Sequence, residues 1–173
     1  MPADRPVPFA VEMLPNGWQV GRFPALSALP GVAHMVTTLH GLDVHLVARD
    51  RERAGNLVAD ALDLDGMAVL EQVHRRRVVC ADEPGLLGEG DGLVTLTPGL
   101  GVMAISADCP LILLADADGR AVGALHASWR GTVRQIALAG VAEMTERLDC
   151  DPARLVAAIC PSAGPCCYEV GPE

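Results

Sequence analysis

Cys109 and His126 are residues whose types and spacing could do chemistry together. Between them, Asp116-Ala117-Asp118-Gly119 separates two apolar runs, 111–116 and 121–126, and reads as a hairpin turn. With Asp118-Gly119 as a two-residue loop, Ala117 faces Arg120, and counting back puts Leu111 opposite His126. Cys109 then shares a face with His126, as a diagonal pair with Cα atoms ~7–8 Å apart. That is close enough for a thiolate and an imidazole to share one metal ion or one proton. A four-residue loop keeps this register, and a three-residue loop flips it.

Both residues lie at the hairpin end away from its turn, among Asp108, Ser128, Trp129 and Arg130. Arg130 precedes the expected start of a helix at Thr132, so its fork and the helix's free N–H groups suggest an anion cradle. A third ligand candidate is His74, at the end of the strand expected over 67–73. One Cys and two His bind Zn²⁺ well and leave a fourth position open for catalysis. The same Cys109 and His126 would also suit a cysteine nucleophile activated by a base. Spacing alone leaves both chemistries open.

The elements that must position these residues are short and punctuated by 18 Gly and 13 Pro. Residues 1–16 are Pro-rich and read as irregular. Strands are expected over 18–23, 33–38, 67–73, 77–80, 100–107, 111–116, 121–126 and, as a buried type, 155–159. A helix over 49–64 has its stripe at Leu57, Val58, Ala61 and Leu62. The Gly88–Gly92 cluster reads as a turn. The clearest helix begins at a Thr132/Gln135 capping box and presents Val133, Ile136, Ala137, Val141, Met144 and Leu148. Asp151-Pro152 ends it, and 161–165 reads as a rigid loop. Strands outnumber helices and several are consecutive, so the expected class is α+β, with antiparallel hairpins rather than a doubly wound sheet.

Composition bounds what such a site can do. The 173 residues make one ordinary domain, 50% apolar, with 13 Arg and no Lys. Without Lys there is no Schiff-base enzyme, no Lys general base and no Walker-type phosphate loop. A net charge of −9 repels phosphate backbones, so nucleic acid is not the expected partner. Mean hydropathy is +0.29, yet no apolar run approaches the ~18 residues of a membrane span. The N-terminus shows no apolar signal region, so a cytoplasmic protein is expected, with its six Cys as reduced thiols. Five aromatics leave the core to aliphatic side chains.

Five motifs occur in order. They are Gln72-Val73-His74, Asp91-Gly92 with Thr95, Ala107-Asp108-Cys109-Pro110, His126-Ala127-Ser128-Trp129-Arg130-Gly131, and PSAGPCCYEVG over 161–171. Together they resemble the laccase-domain family, once called multicopper polyphenol oxidases and now described as purine nucleoside phosphorylases. The resemblance runs from about Leu70 to Gly171, well over half the chain. It implies a zinc site from His74, Cys109 and His126, and a mixed layered sandwich related to cytotoxic necrotizing factor-like deamidases. The implied partners are a purine nucleoside and phosphate, with adenosine deamination as a second activity. In that setting Arg130 would hold phosphate, Tyr168 would stack on the purine, and Asp108, or else Glu169, would serve as the acid/base.

Departures from the family pattern are local. Arg75 and Ser128 stand where Gly is usual, and Thr37-Thr38-Leu39-His40-Gly41 lacks the usual Arg and is followed by a shortened loop. The chain stops at Glu173, where family members continue, so residues 1–173 read as a single laccase-type domain missing its C-terminal elements. Two rival readings keep the residues: a cysteine hydrolase or amidase using Cys109 and His126, and an inactive truncated homologue. A copper oxidase is disfavoured, because a four-copper set needs roughly ten His ligands and the sequence has five His. Cys166-Cys167 reads as pocket lining beside Tyr168. Asp91-Gly92 reads as a turn first and a carboxylate supporting a ligand second. The Arg75-Arg76-Arg77 run reads as a solvated patch with an anion role left open by its closeness to His74.

Overall fold

A computed structural model describes residues 9–171. In chain order the elements are β1 (Ala10–Met13), β2 (Gln19–Arg22), α1 (Pro24–Ser27), β3 (Val36–Thr37), α2 (Val44–Arg49), α3 (Arg51–Leu62), β4 (Gly66–Glu71) and β5 (Val78–Cys80). There follow β6 (Gly85–Glu89), β7 (Gly92–Thr95), β8 (Leu100–Val102), β9 (Leu111–Asp116), β10 (Val122–His126), α4 (Trp129–Val133), α5 (Ile136–Leu148) and β11 (Leu155–Ile159). They form three sheets, ordered β1-β2-β3, β11-β9-β10-β7-β5 and β6-β4-β8.

The five-stranded sheet carries the core. Its strands alternate between two covered faces, as period-two side chains must. Leu114, Leu125 and Val94 meet Ile136, Met144 and Leu148 of α5 on one face. Ala115 and Ala158 meet Phe23 and Leu26 around α1 on the other. Gly140 permits the close approach of α5: a Cβ there would sit 2.6 Å from Leu125 Cδ1. β4 is buried along Gly66–Leu70 because both its faces are covered. Met67 and Val69 pack on Ala54, Val58 and Ala59 of α3, while Ala68 and Leu70 pack on Leu93 and Leu100.

The α+β class with antiparallel hairpins holds, and the core is aliphatic as expected. The register of the central hairpin also holds, with His126 opposite Leu111. Its loop is four residues rather than two. Asp116 N–H donates to the Ala121 carbonyl, and the reversal uses Gly119 at φ 71°.

Several elements differ from expectation. The β6-β4-β8 sheet is wholly parallel, and β5 also runs parallel to β7. This is why β4 reads as one continuous apolar run. The Gly88–Gly92 cluster, expected as a turn, is flanked by two strands that run into it, β6 and β7, and β8 stops at Val102, short of Ala107. Of the expected irregular segment, residues 1–8 lie outside the described residues, while Ala10–Met13 is a strand. The 49–64 helix is split by Asp50, which accepts from Arg53 N–H and caps α3. Its buried face is Ala54, Gly55, Val58 and Ala59, with Leu57 exposed. β11 is an edge strand rather than a buried one, and its Ile159 is 66% exposed.

The Thr132/Gln135 capping box does not form. Ser128 caps α4 instead, and Gln135 takes a left-handed conformation that separates α4 from α5. α5 therefore buries Ile136, Gly140, Met144 and Leu148, while Val133 and Ala137 are exposed.

Candidate metal centre

His74, Cys109 and His126 come together although they lie on three separate segments. One ligand atom from each lies within 4.8 Å of the others. His126 ends β10 and is buried, Cys109 lies just before β9 and is half-buried, and His74 follows β4 and is exposed. The cluster thus has a closed side and an open side. The two imidazoles meet edge to face, with ring centroids 4.8 Å apart.

Asp91 builds this geometry. Its side chain is buried, and Oδ1 lies 2.9 Å from His126 Nδ1. That contact uses one ring nitrogen and leaves Nε2 to face the cluster. The same carboxylate accepts the N–H groups of Val73, His74 and Arg75 at 3.3, 2.9 and 2.7 Å. Three successive amides wrapping one anion fix the loop and hold His74 at φ 58°. The Asp91 carbonyl also accepts from His126 N–H at 2.7 Å. So Asp91 acts as the supporting carboxylate, and the turn is the lesser part of its role.

Gln72 is a residue that sequence reasoning noted only as a motif letter. Its amide exchanges two hydrogen bonds with Ile105, donating to the carbonyl at 2.6 Å and accepting from the N–H at 2.7 Å. Ser106 Oγ then donates to the Cys109 carbonyl at 2.7 Å. This clasp ties the His74 loop to the Cys109 loop. Gly131 closes the other flank: a Cβ there would sit 2.9 Å from the Arg75 carbonyl oxygen.

The remaining expected site residues fall unevenly. Tyr168 Oη lies 4.0 Å from Cys109 Sγ, and this contact is the main cause holding its hydroxyl above the usual phenol range. Tyr168 also feels the Asp108 carboxylate and, with opposite sign, the Arg130 guanidinium, so all three belong to one locality. Arg130 lies within α4 rather than before it, and its guanidinium stacks 4.4 Å from the Trp129 ring centroid. The expected cradle of free helix N–H groups is reduced, because Ser128 Oγ accepts from Gly131 N–H and α4 has five residues. Glu169 is exposed and makes no side-chain hydrogen bond to the cluster among the described residues. Arg75 lines a separate cleft together with Arg134.

The three donors are of the types that hold a metal ion, zinc among them. Bonds of about 2.0–2.3 Å in a tetrahedron require the donors to close by about 1 Å from their present spacing. The other His residues serve elsewhere or stand apart. His34 accepts from Phe23 N–H at 2.8 Å, and His40 and His45 are exposed. Among the described residues this is the one group of three or more His, Cys, Asp or Glu placed to hold a metal. A larger cavity of about 1190 Å³, lined by Met35, Val47, Met103 and Ile105 among others, includes none of the three ligands. No helix among the described residues is long and apolar enough to cross a membrane.

Known proteins resemble this chain in sequence and fold. A protein named purine nucleoside phosphorylase from Deinococcus radiodurans is 41% identical over 131 residues, which is 76% of this chain and 50% of that protein. A protein named adenosine deaminase, from an unknown prokaryotic organism, is 38% identical over 122 residues, or 65% of this chain and 46% of that one. The solved structure of YlmD from Geobacillus stearothermophilus superposes with a TM-score of 0.75 at 26% identity, covering 91% of this chain and 67% of that one. The chain spans about half the length of the curated relatives it matches. Residues 33–173 match the family model described as multi-copper polyphenol oxidoreductase laccase, and the chain belongs to that family.

Proposed function

We propose that this chain acts as a zinc-dependent purine nucleoside phosphorylase on adenosine and related purine nucleosides, with adenosine deamination as a second activity of the same centre. The carrying observation is the His74–Cys109–His126 cluster, oriented by Asp91 and open on its His74 side. The names of the relatives supply the substrate class. A bound zinc would supply Lewis-acid polarisation at that open side.

The chain's own residues have separable tasks in this reading. In phosphorolysis a phosphate oxygen bonds to the ribose C1′ as the glycosidic C–N bond breaks, and the leaving purine takes up a proton. Arg130 offers paired N–H donors to the phosphate, the contact that a chain without Lys must assign to Arg. Tyr168 offers its ring to the purine. Asp108 carries the proton, with Glu169 as the second candidate. The test is phosphate-dependent release of adenine from adenosine by the zinc-loaded protein. Arg130→Ala should raise the KM for phosphate by at least about ten-fold, one charge-assisted contact. No release of base under these conditions sinks the reading.

One observation favours a second reading. Cys109, His126 and Asp91 form a thiol, imidazole and carboxylate series, the order used to activate a nucleophile. Zinc would occupy that thiolate. Iodoacetamide labelling of Cys109 that zinc leaves unchanged would favour a cysteine hydrolase, and protection by zinc would favour the phosphorylase.

A further inference from the structure

A second cleft, of about 420 Å³, is lined by Arg75, Arg76, Arg77 and Arg134, with Val78, Ala139 and Glu143. It contains none of the three metal ligands. Four arginines and one glutamate line it, in a chain whose net charge is −9. Glu143 does not neutralise them alone, since its Oε2 also lies 3.9 Å from Arg147 Nε outside the cleft. Among the described residues the side chains of Arg75, Arg76 and Arg77 make no ion pair. Arg134 donates to the Arg130 carbonyl at 3.4 Å, a contact that leaves its charge uncompensated.

The backbone holds this cluster in place. Arg75 N–H is anchored on Asp91 Oδ2 at 2.7 Å. The Arg77 carbonyl accepts from Asp91 N–H and Gly92 N–H at 2.9 and 3.2 Å. Arg134 comes from the end of α4, against the same wall. Both ends of the Arg75–Arg77 backbone are therefore fixed, so the segment presents its arginines to one cleft, where an anion would offset their like charge. Guanidinium forks match the oxygens of phosphate. The size of the cleft and the chain's net charge of −9 favour a small anion over a polymer.

We propose that this cleft binds a small phosphate-bearing anion, inorganic phosphate or a phosphate monoester, at a site distinct from the metal cluster. The proposal goes beyond the phosphorylase reading and requires no metal. Isothermal titration with inorganic phosphate and with adenosine 5′-monophosphate tests it, at an ionic strength held constant with sodium chloride. The protein carries Arg130→Ala, which removes the phosphate contact assigned to the reaction. Binding should persist in that protein and in His74→Ala. It should weaken by at least about ten-fold when Arg76→Ala and Arg134→Ala are added, the loss of a charge-assisted contact. Circular dichroism checks that the variants fold, and Arg76→Lys with Arg134→Lys, which keeps charge but not the fork, should fall between.

Equal binding of the two ligands identifies free phosphate as sufficient, and binding of the monophosphate alone identifies an ester; both support the site. Absence of binding in the Arg130→Ala protein overturns it. So does binding indifferent to the cleft substitutions, or displaced equally by chloride. Adenine release, measured separately, reports on the phosphorylase reading, so either idea can fail alone.

Discussion

Asp91 concentrates more of the site's geometry than any ligand does. It aims His126 and folds the His74 loop with one buried carboxylate. Asp91→Asn keeps the shape but exchanges one acceptor oxygen for a donor. Zinc affinity should fall about 10–100-fold, read by competition with a chromophoric chelator. Gly131→Ala should act from the opposite flank by pressing on the Arg75 carbonyl, weakening zinc binding by roughly ten-fold in the same assay. The thiols should also separate. Burial pushes Cys160 up to about 11, so mass-resolved alkylation at pH 8 should leave it unmodified while the exposed Cys166 and Cys167 react. At this scale the Cys109/His126 pairing was legible, because a hairpin register is arithmetic along the chain. The dominance of Asp91 was not, because a Gly-Asp-Gly stretch shows a turn and conceals which distant amides the carboxylate will meet. Gln72 was hidden for the same reason: its partner Ile105 is fixed only by the tertiary fold.

The elements divide by how local their causes are. β9 and β11 fall where their apolar runs predict, and β10 begins one residue later than expected, since strand ends there are set by adjacent turns. β6 and β7 are not legible because two glycines interrupt the pattern of β6 and β7 has only four residues, and both gain their pairing from neighbours. The Thr132/Gln135 box failed against a competitor: Ser128 capped first, and left-handed Gln135 restarted the helix. That restart turns Gly140 onto Leu125. Gly140→Val should force α5 away from β10 and cost about 1–3 kcal/mol in urea-induced unfolding. Val133→Ser, at an exposed position of α4, should change stability by no more than about 0.5 kcal/mol.

For the molecule as a whole, pH enters through His34. Burial, helped by Arg22, lowers its pKa below the ordinary 6.5, and its ring accepts from Phe23 N–H, which requires the neutral form. A depressed histidine means the unfolded chain binds the proton more readily. Stability from this group is therefore complete above pH 6.5 and declines as pH falls from there toward the lowered value. Thermal unfolding between pH 7.5 and 5 should show the decline, and His34→Gln should flatten it. The absence of Lys shapes the molecule at this scale too, by leaving every cationic contact to the planar, permanently charged guanidinium. Asp91 joins these scales. Four amides, those of Val73, His74, Arg75 and His126, all donate to this one residue. Their hydrogen exchange should therefore proceed through a single shared opening, slowing together when metal is added and quickening together when it is withdrawn.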